Sequence, residues 1–431
     1  MINPNFYSEC IAPVSLDHNL GAHFRELAQF TSSRALFGSE LYRNLRPEIA
    51  QLLGSIAQED FSRATPVRLP ERRESIKATA WNIERGKCLP EIIRALREEN
   101  DLAASDVLLL TELDYGMART RNQFVVREIA SALGMNYVFA PCYLALNKGS
   151  GLESEVAGEN LQALHGNALL SPHPLLNAHA VALPNGKDKM SGKEKRLGSQ
   201  RAVVADVLHP AGKFRAVSLH LDAHSTQNHR RRQMKIILDH LEALRPALPV
   251  LVGGDWNTST YNSRRAVYSI GGFFRRVMMG VNHVIKNHYV YPERWFERGL
   301  FGDLERRGYD FRNLNELGAG TLHYDVKDLA ANVNMGDWVP RWCFWFINWA
   351  LKENGGRCSL KLDWFAGKGI EPDPAHPPRV VADYSDAREK ISDHDPIMLR
   401  FFIVSIHTTL EKRGDTESDG SDTPRAGLRQ R

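Results

Sequence analysis

Residues 249–258 read Pro249-Val-Leu-Val-Gly-Gly-Asp255-Trp-Asn257-Thr258. An apolar run with two valines that stops at two glycines predicts a buried strand that ends at an open edge. Asp255 and Asn257 are two residues apart, so their side chains share one face of the extended chain. A carboxylate can deprotonate water or help to bind a cation, and an amide can donate to an anionic oxygen. Taken alone, this pair fits a structural Asx turn better than a catalytic or binding site. The residues at the other strand ends are needed to distinguish the two.

Polar side chains also follow other predicted strands. Asn82 and Glu84 end the run from Ser75 to Gly86, Glu112 follows the buried run Val107–Leu110, and His220 ends the run from Phe214 to Asp222. Three further segments carry Asn167 at the start of a strand, Asp363 within a strand, and Asp393 with His394 before the last strand. One polar residue at a strand end is more often structural than catalytic. Several strands that each deliver a carboxylate indicate a shared site.

Composition frames this site without identifying it. The chain has 431 residues, of which 43% are hydrophobic and 25% charged, and this is typical of a soluble protein with one large domain or two. A net charge of +4 is too small to argue for nucleic acid by itself. The five cysteines are odd in number and widely spaced, which argues against a disulfide framework or a zinc-thiolate site. With no leader or transmembrane segment expected, we predict a cytoplasmic protein.

The chain divides into three parts by pattern. Apolar residues recur at helical spacing from Asp17 to about Ser62, which predicts an N-terminal helical extension over residues 1–74. The main domain is expected over residues 75–406, and the tail 407–431, rich in Gly, Ser, Asp and Arg, is expected to be disordered. Packing or capping is the expected role of the N-terminal helices, with partner binding left open.

Three segments of the main domain leave alternatives open. The insertion 262–356 is too long and too aromatic for a simple connection, and its run Trp342–Trp349 fits a buried or partner-facing helix, a lid or a lipid-touching surface. The basic loop Lys187–Lys195 fits a solvated turn better than a phosphate grip. The run Arg230–Arg232 favours a nucleic-acid substrate if it faces the cleft.

The ordered motifs resemble those of the endonuclease/exonuclease/phosphatase superfamily over about Ile76 to Ile406. The matching segments are Trp-Asn82-Ile-Glu84-Arg-Gly, Leu-Thr-Glu112, Gly-Asn167-Ala-Leu-Leu-Ser, Ser-Leu-His220-Leu-Asp, Gly-Asp255-Trp-Asn257-Thr, Leu-Asp363-Trp-Phe and Ser-Asp393-His394-Asp-Pro-Ile. The resemblance implies an α+β fold, a four-layer α/β/β/α sandwich of two packed mixed β-sheets flanked by helices, with the N-terminal helical extension added. One motif would be weak evidence, but the full ordered set is strong.

The resemblance also implies roles for these residues around a divalent ion, usually Mg²⁺, with Mn²⁺ possible. Metal ligation falls to Glu112, assisted by Asn82, Glu84 and Asp393. Asp255 would orient or deprotonate the attacking water, and phosphate oxygens would be held by Asn167, Asn257 and His394. Asp363 would hold His394, and His220 would be the proton donor to the leaving group. A hard cation that prefers oxygen ligands suits this set.

These features predict a metal-dependent hydrolase of phosphoester bonds. They favour a phosphodiester substrate over a phosphomonoester. The substrate is either a nucleic acid or a phospholipid or small molecule, with the aromatic insertion slightly favouring the latter. His220 stands where apurinic-site endonucleases usually carry a tyrosine, and Gly-Asp-Trp-Asn-Thr differs from the Gly-Asp-Leu-Asn-Tyr-Arg of inositol polyphosphate phosphatases. The alternatives are a phosphomonoesterase of the same fold and a non-catalytic phosphate-binding module.

Overall fold

The computed structural model describes residues 15–61, 75–258, 271–272, 275–276, 278–325, 357–382, 384 and 390–404. Predictions for the boundary segment 65–74, the aromatic run 342–349 and the disordered tail 407–431 lie outside these residues.

The described chain contains both α-helices and β-strands. The α-helices are α1 (Phe24–Leu27), α2 (Ser33–Gly38), α3 (Glu40–Gly54), α4 (Leu89–Glu98), α5 (Val125–Leu133), α6 (Gln227–Ala243), α7 (Val281–Val284) and α8 (Arg298–Arg306), and a π-helical turn (Ile285–Tyr289) follows α7. The strands are β1 (Ala57–Glu59), β2 (Ile76–Arg85), β3 (Val107–Tyr115), β4 (Asn136–Ala145), β5 (Leu164–Ser171), β6 (Leu175–Ala182), β7 (Arg196–Gly198), β8 (Arg201–His209), β9 (Gly212–Ser218), β10 (Val250–Asp255), β11 (Leu322–Asp325), β12 (Arg357–Leu360), β13 (Asp363–Lys368), β14 (Ile370–Pro372), β15 (Arg379–Val380) and β16 (Ile397–Ile403).

Fourteen of these strands form two large mixed sheets, and β11 and β12 pair in a separate two-stranded sheet. In the described chain, the first sheet has nine strands with the path β1-β4-β5-β3-β2-β16-β14, to which β7 and β15 add at β4 and β16. The second has five strands in the order β13-β10-β9-β8-β6. Strands β2 and β3 are parallel, as are β9 and β10, so each sheet has neighbouring strands whose carboxyl ends meet at one edge.

Three apolar cores separate four layers. Between the sheets lie short and branched side chains that include Ala78, Leu109, Leu169, Val203, Ala216 and Leu251. Helices α4 and α5 cover the outer face of the first sheet, and α6 and α8 cover the outer face of the second. The predicted α+β sandwich of two packed sheets flanked by helices is therefore confirmed.

Helix α6 illustrates how the sequence produces these layers. Thr226 is its N-cap, and the hydroxyl of Thr226 accepts a hydrogen bond from the His229 amide. Apolar residues recur at helical spacing, and Met234, Ile237, Leu238 and Leu241 are all buried against the second sheet. This single apolar stripe fixes which face of the helix packs inward.

The N-terminal segment is not entirely helical. The predicted helical stretch from Asp17 to about Ser62 ends at Gly54, and Ala57–Glu59 instead forms β1, which pairs antiparallel with β4. Lys195 of the basic loop donates to the Phe30 carbonyl at 2.8 Å and also to Ala28. The loop therefore binds the N-terminal segment rather than standing wholly in solvent.

The arginine run on α6 packs against the insertion. Arg230 is fully buried and forms an ion pair with Glu297, and Arg231 pairs with Asp303 of α8 at 2.5 Å. Arg230 and Arg231 therefore help to fix the position of α8. The condition under which the run favours a nucleic-acid substrate, that it faces the cleft, is not met by the buried Arg230. No described helix has both the length and the apolar composition that a bilayer crossing requires.

Candidate active site

The polar residues predicted at strand ends converge on one edge of the sandwich. Asn82 and Glu112 lie at the carboxyl ends of the parallel pair β2 and β3, and Asp255 ends β10. Asp363 begins β13 directly opposite Asp255, and His394 precedes β16, which pairs with β2. Pairing of this kind places side chains that are far apart in sequence at one location.

Close packing and an unusual backbone shape this edge. A β-carbon on Gly254 would lie 2.2 Å from the Leu219 carbonyl oxygen, which explains the glycine directly before Asp255. Three non-glycine residues, Glu84, Glu112 and Asn257, have positive φ angles of 45°, 58° and 52°. Each costs roughly 1–3 kcal/mol, and such residues persist where the surrounding structure fixes them, often at functional sites.

Asp255 is the centre of the site. Its Oδ1 accepts a hydrogen bond from the Asn257 amide at 2.9 Å, and its Oδ2 accepts one from Asn82 Nδ2 at 3.1 Å. The Nε2 atoms of His220 and His394 lie 3.4 Å and 3.8 Å from the same Oδ2. Burial raises the pKa of Asp255 above its ordinary value, although the two histidines oppose this shift. The structure thus holds a buried carboxylate with a raised pKa between two imidazoles.

His394 is held by a chain of hydrogen bonds. Its Nδ1 lies 2.7 Å from Asp363 Oδ2, and the Thr321 hydroxyl donates to that same oxygen at 2.6 Å. The Trp81 indole donates to the His394 carbonyl at 2.8 Å. Burial disfavours the charged imidazole, but Asp363 and Asp255 outweigh it and hold the pKa of His394 well above its usual value. The surroundings of His394 therefore favour its charged form, and its Nε2 faces Asp255.

Carboxylates and an amide lie beside Asp255 on the side of the first sheet. Asn82 Nδ2 also donates to Glu112 Oε1 at 3.2 Å, and His220 Nε2 is 3.9 Å from that oxygen. Burial, with the charges of Glu84 and Glu112, raises the pKa of Asp393 to about 6. The carboxylates therefore repel one another in a buried place, and a cation would relieve that repulsion.

This donor set fits a hard divalent cation. Carboxylate and amide oxygens are the ligands that Mg²⁺ accepts. Glu84 and Glu112 are near enough to raise the pKa of Asp393, but in the described chain these three residues do not bring three ligand atoms within 4.8 Å of one another. The described group that does so at this edge is Asp255, Asp363 and His394. Because His394 Nδ1 and Asp363 are hydrogen-bonded to each other, this second group is better suited to holding protons.

The sequence profile of the Endonuclease/Exonuclease/phosphatase family matches residues 79–394, which is most of the chain and includes every residue of this edge. The chain belongs to this family. Members of the family are phosphoester hydrolases and are generally dependent on divalent metals. No curated protein compared with the chain gave a match.

Several solved structures are similar to this family member. The match to an endonuclease/exonuclease/phosphatase from Beutenbergia cavernae has 16% identity and a TM-score of 0.46, and covers 78% of this chain and 72% of that one. A 3'-5' exonuclease (NExo) from Neisseria meningitidis matches with 15% identity and a TM-score of 0.44 over 76% and 100%. The human Nocturnin catalytic domain, with a bound sulfate anion, matches with 16% identity and a TM-score of 0.38 over 78% and 97%.

The two predicted phosphate-binding amides differ in their surroundings. Both N–H groups of Asn167 are used inside the protein, with the Arg201 carbonyl at 2.9 Å and the Cys142 sulfur at 3.5 Å. Its Oδ1 accepts the Glu112 amide at 3.4 Å, so in this structure Asn167 supports Glu112. The Asn257 side chain donates to the Leu221 carbonyl at 3.0 Å, and its backbone N–H donates to Asp255.

Sequence reasoning missed the contribution of the insertion. Besides its bond to Asp363, the Thr321 hydroxyl accepts the amides of Leu362 and Asp363 at 3.1 Å and 3.2 Å. His323 Nε2 lies 3.1 Å from Asp395 Oδ2, next to His394. Thr321 follows Gly-Ala-Gly and its partner is 42 residues away, so no local pattern identifies it. The insertion 262–356 therefore fixes the Asp363–His394 pair through Thr321.

A second cluster lies at the opposite edge of the sandwich. Asp106 precedes β3, His173 follows β5 and His209 ends β8, and their ligand atoms lie within 4.8 Å of one another. The Ala211 amide donates to His209 Nδ1 at 3.0 Å, so the proton of the neutral ring is on Nε2, which lies 3.5 Å from Asp106 Oδ1. A protonated nitrogen cannot bind a metal ion. This cluster is therefore a set of hydrogen-bonded side chains that joins the two sheets.

Proposed function

We propose that this family member is a divalent-metal-dependent phosphodiesterase that hydrolyses its substrate by attack of an activated water. The observation that carries the proposal is Asp255 itself, a buried carboxylate with a raised pKa between His220 and His394. A structural carboxylate is normally stabilised as the anion, whereas a general base needs a pKa moved toward the working pH.

Asp255 acts as the base in this proposal. The backbone N–H of Asn257 holds Oδ1 of Asp255, so Oδ2 is the atom that accepts the proton of the attacking water. His394, charged and held by Asp363, contacts a non-bridging phosphate oxygen through Nε2. Removing one such contact typically costs about 10²–10³ in rate, by comparison with oxyanion donors.

His220 is the proposed proton donor to the leaving oxygen. Its Nε2 lies near both Asp255 and Glu112, whereas its buried Nδ1 has no hydrogen-bond partner among the described residues. Nε2 is therefore the ring atom placed to give a proton to the leaving oxygen. Asn257 remains the proposed phosphate-binding amide. Asn167, whose N–H groups are both used inside the protein, acts in this proposal by supporting Glu112.

The proposed metal ligands are Glu112, Asn82, Glu84 and Asp393, and Mg²⁺ is the expected ion, with Mn²⁺ as the substitute. When bound, the ion supplies polarisation of the phosphoryl oxygen and neutralisation of developing negative charge. The crowding of carboxylates that raises the pKa of Asp393 supports this assignment.

The test compares hydrolysis of bis(p-nitrophenyl) phosphate and p-nitrophenyl phosphate by the full chain, with Mg²⁺ and then with a chelator. We expect Mg²⁺-dependent turnover that favours the diester and stops on chelation. The matched variants are Asp255→Asn, expected to be inactive, and Asp106→Asn at the opposite edge, expected to be as active as the parent. Preference for the monoester would make the protein a phosphatase, and activity in Asp255→Asn would contradict the proposal.

A further inference from the structure

Exposed apolar side chains are concentrated in one part of the insertion. Eight large hydrophobic side chains of the described chain are exposed, and three of them lie within residues 278–295. Met278 is 88% exposed, Met279 38% and Trp295 50%. We define the insertion face as these three residues with their exposed cationic neighbours Arg275, Lys286 and Arg294.

The parts of the insertion face are connected. The Met279 amide donates to the Arg275 carbonyl at 3.1 Å, and the Val284 amide to Gly280 at 3.0 Å, so the segment winds from Met279 into α7. The ring of His283 on α7 lies 5.1 Å from that of His288, which stacks on Trp295 at 4.2 Å. One continuous path of bonded and stacked residues therefore joins the methionines to the tryptophan.

Charge on this part of the chain has one sign. Residues 256–292 contain five Lys and Arg residues and no Asp or Glu, whereas the whole chain has a net charge of only +4. The next two acidic residues, Glu293 and Glu297, are buried. Glu293 pairs with the half-exposed Arg294 at 3.2 Å, and Glu297 pairs with Arg230. The exposed charge of the insertion face is therefore cationic, and the rest of the chain is close to neutral.

The insertion face is next to the catalytic edge. The Lys361 amide donates to the Tyr289 carbonyl at 3.1 Å, two residues before Asp363. Tyr289 also packs against the cluster of Leu322, Leu360 and Leu362. The segment that carries the insertion face is thus hydrogen-bonded to the chain two residues before Asp363, the partner of His394.

We propose that the insertion face docks on the surface of an anionic phospholipid bilayer. Tryptophan is favoured at the membrane interface, exposed apolar side chains gain by entering the acyl boundary, and cations are attracted to anionic head groups. A nucleic acid would satisfy the cations but would leave the methionine side chains in water, and one face of the Trp295 ring is already covered by His288. Docking implies phospholipid substrates, and this consequence alone rests on the proposed function.

The experiment is co-sedimentation of the full chain with vesicles of phosphatidylcholine alone and with about three parts in ten phosphatidylserine. A chelator is present throughout, so that turnover and metal bridging play no part. We expect sedimentation with the anionic vesicles and little with the neutral ones. Met278→Glu should lower the bound fraction about tenfold, because burial of one methionine side chain accounts for a factor of that size.

The matched control is Leu208→Glu, which adds the same charge at an exposed leucine beside His209, at the edge opposite the active site. It should bind as the parent does. Trp295→Ala provides a second variant at the insertion face and should also weaken binding. Absence of binding to anionic vesicles, or equal loss in Leu208→Glu and Met278→Glu, would overturn the proposal. Binding to a DNA oligonucleotide but not to vesicles would identify the insertion face as a nucleic-acid surface instead.

Discussion

The two edges of the sandwich carry similar residues in different states. At one edge, Asp255 and Asp363 lie with His394, and at the other, Asp106 lies with His173 and His209. Both groups place their ligand atoms within 4.8 Å of one another. Composition and distance alone would rank them as equal candidates for chemistry, so the difference must lie in hydrogen bonding, burial and backbone conformation.

At the opposite edge the polar atoms satisfy one another. Asp106 Oδ2 accepts the Lys77 amide at 2.8 Å, and Oδ1 faces both histidines. Burial disfavours the Asp106 anion, but hydrogen bonds from His173 and His209 outweigh it and hold the pKa of this carboxyl below its usual value. Asp106 is therefore stabilised as a structural anion.

At the catalytic edge the same residue types are left less satisfied. Asp363 Oδ1 and His220 Nδ1 are buried and, among the described residues, have no hydrogen-bond partner. The pKa of Asp255 is raised by burial, and Glu112 and Asn257 have positive φ angles. The catalytic edge thus differs from the opposite edge because it holds buried polar and charged groups that the protein itself does not fully compensate. A bound substrate or ion can supply that compensation.

The strongest test of this comparison is the same substitution at both edges. Asp255→Asn should lower the rate by about 10³ or more, because it removes the base at nearly constant shape. Measured with a chelator at pH 8, its free energy of unfolding should equal or exceed that of the parent, since a carboxyl with a raised pKa destabilises the folded state once it is ionised. Thermal unfolding and initial rates give both values. A large loss of stability in Asp255→Asn would make Asp255 a structural anion like Asp106.

The Asp363–His394 pair gives the next largest expected effect. Asp363 helps to hold the pKa of His394 above its usual value, so protonated His394 should be present up to alkaline pH and its contribution should be lost as pH rises through that pKa. Asp363→Asn should lower the pKa of His394. The fall in rate at alkaline pH should then begin at a lower pH, and the rate at pH 8 should be about 10²-fold below that of the parent. The pH–rate profile at saturating Mg²⁺ checks this. An unchanged alkaline limb would remove His394 from the mechanism.

Thr321 tests how far the insertion supports the catalytic edge. Thr321→Val removes the donor to Asp363 and leaves the amides of Leu362 and Asp363 without their acceptor, at a cost of about 1–3 kcal/mol in stability. We expect a rate about tenfold lower and an alkaline limb shifted less than in Asp363→Asn. Thr321→Ser keeps the hydroxyl and should restore both the rate and the pH profile. Equal behaviour of the serine and valine variants would reduce Thr321 to a packing residue.

The sequence predicts the catalytic edge better than its supports. Asp255, Glu112 and His220 follow apolar runs. Parallel pairing brings Asp255 beside His220 in one sheet and Glu112 beside Asn82 in the other, and packing of the two sheets joins these pairs. Thr321 and the Arg230–Glu297 pair depend on contacts across 42 and 67 residues, which no local pattern encodes. The strand Leu175–Ala182 is also absent from the prediction, because Asn177 has a positive φ of 52° and the strand pairing shifts register there, interrupting the alternation.

The smallest expected effect on activity, none, belongs to Asp106→Asn, and it completes the comparison. The pKa of Asp106 is lower in the folded protein than in the unfolded chain, where it is about 3.9. The ionised carboxyl therefore contributes to stability above about pH 3.9, and this contribution is lost as pH falls through the pKa of the folded state. Asp106→Asn should therefore destabilise the protein by about 1–2 kcal/mol at pH 7, and the difference from the parent should shrink as the solution is acidified. Denaturant unfolding from pH 7 to pH 3 measures this. The same Asp-to-Asn change at Asp255 is expected to leave stability unchanged or to raise it. Loss of activity with intact stability in Asp106→Asn would mean that the Asp106 cluster also takes part in function.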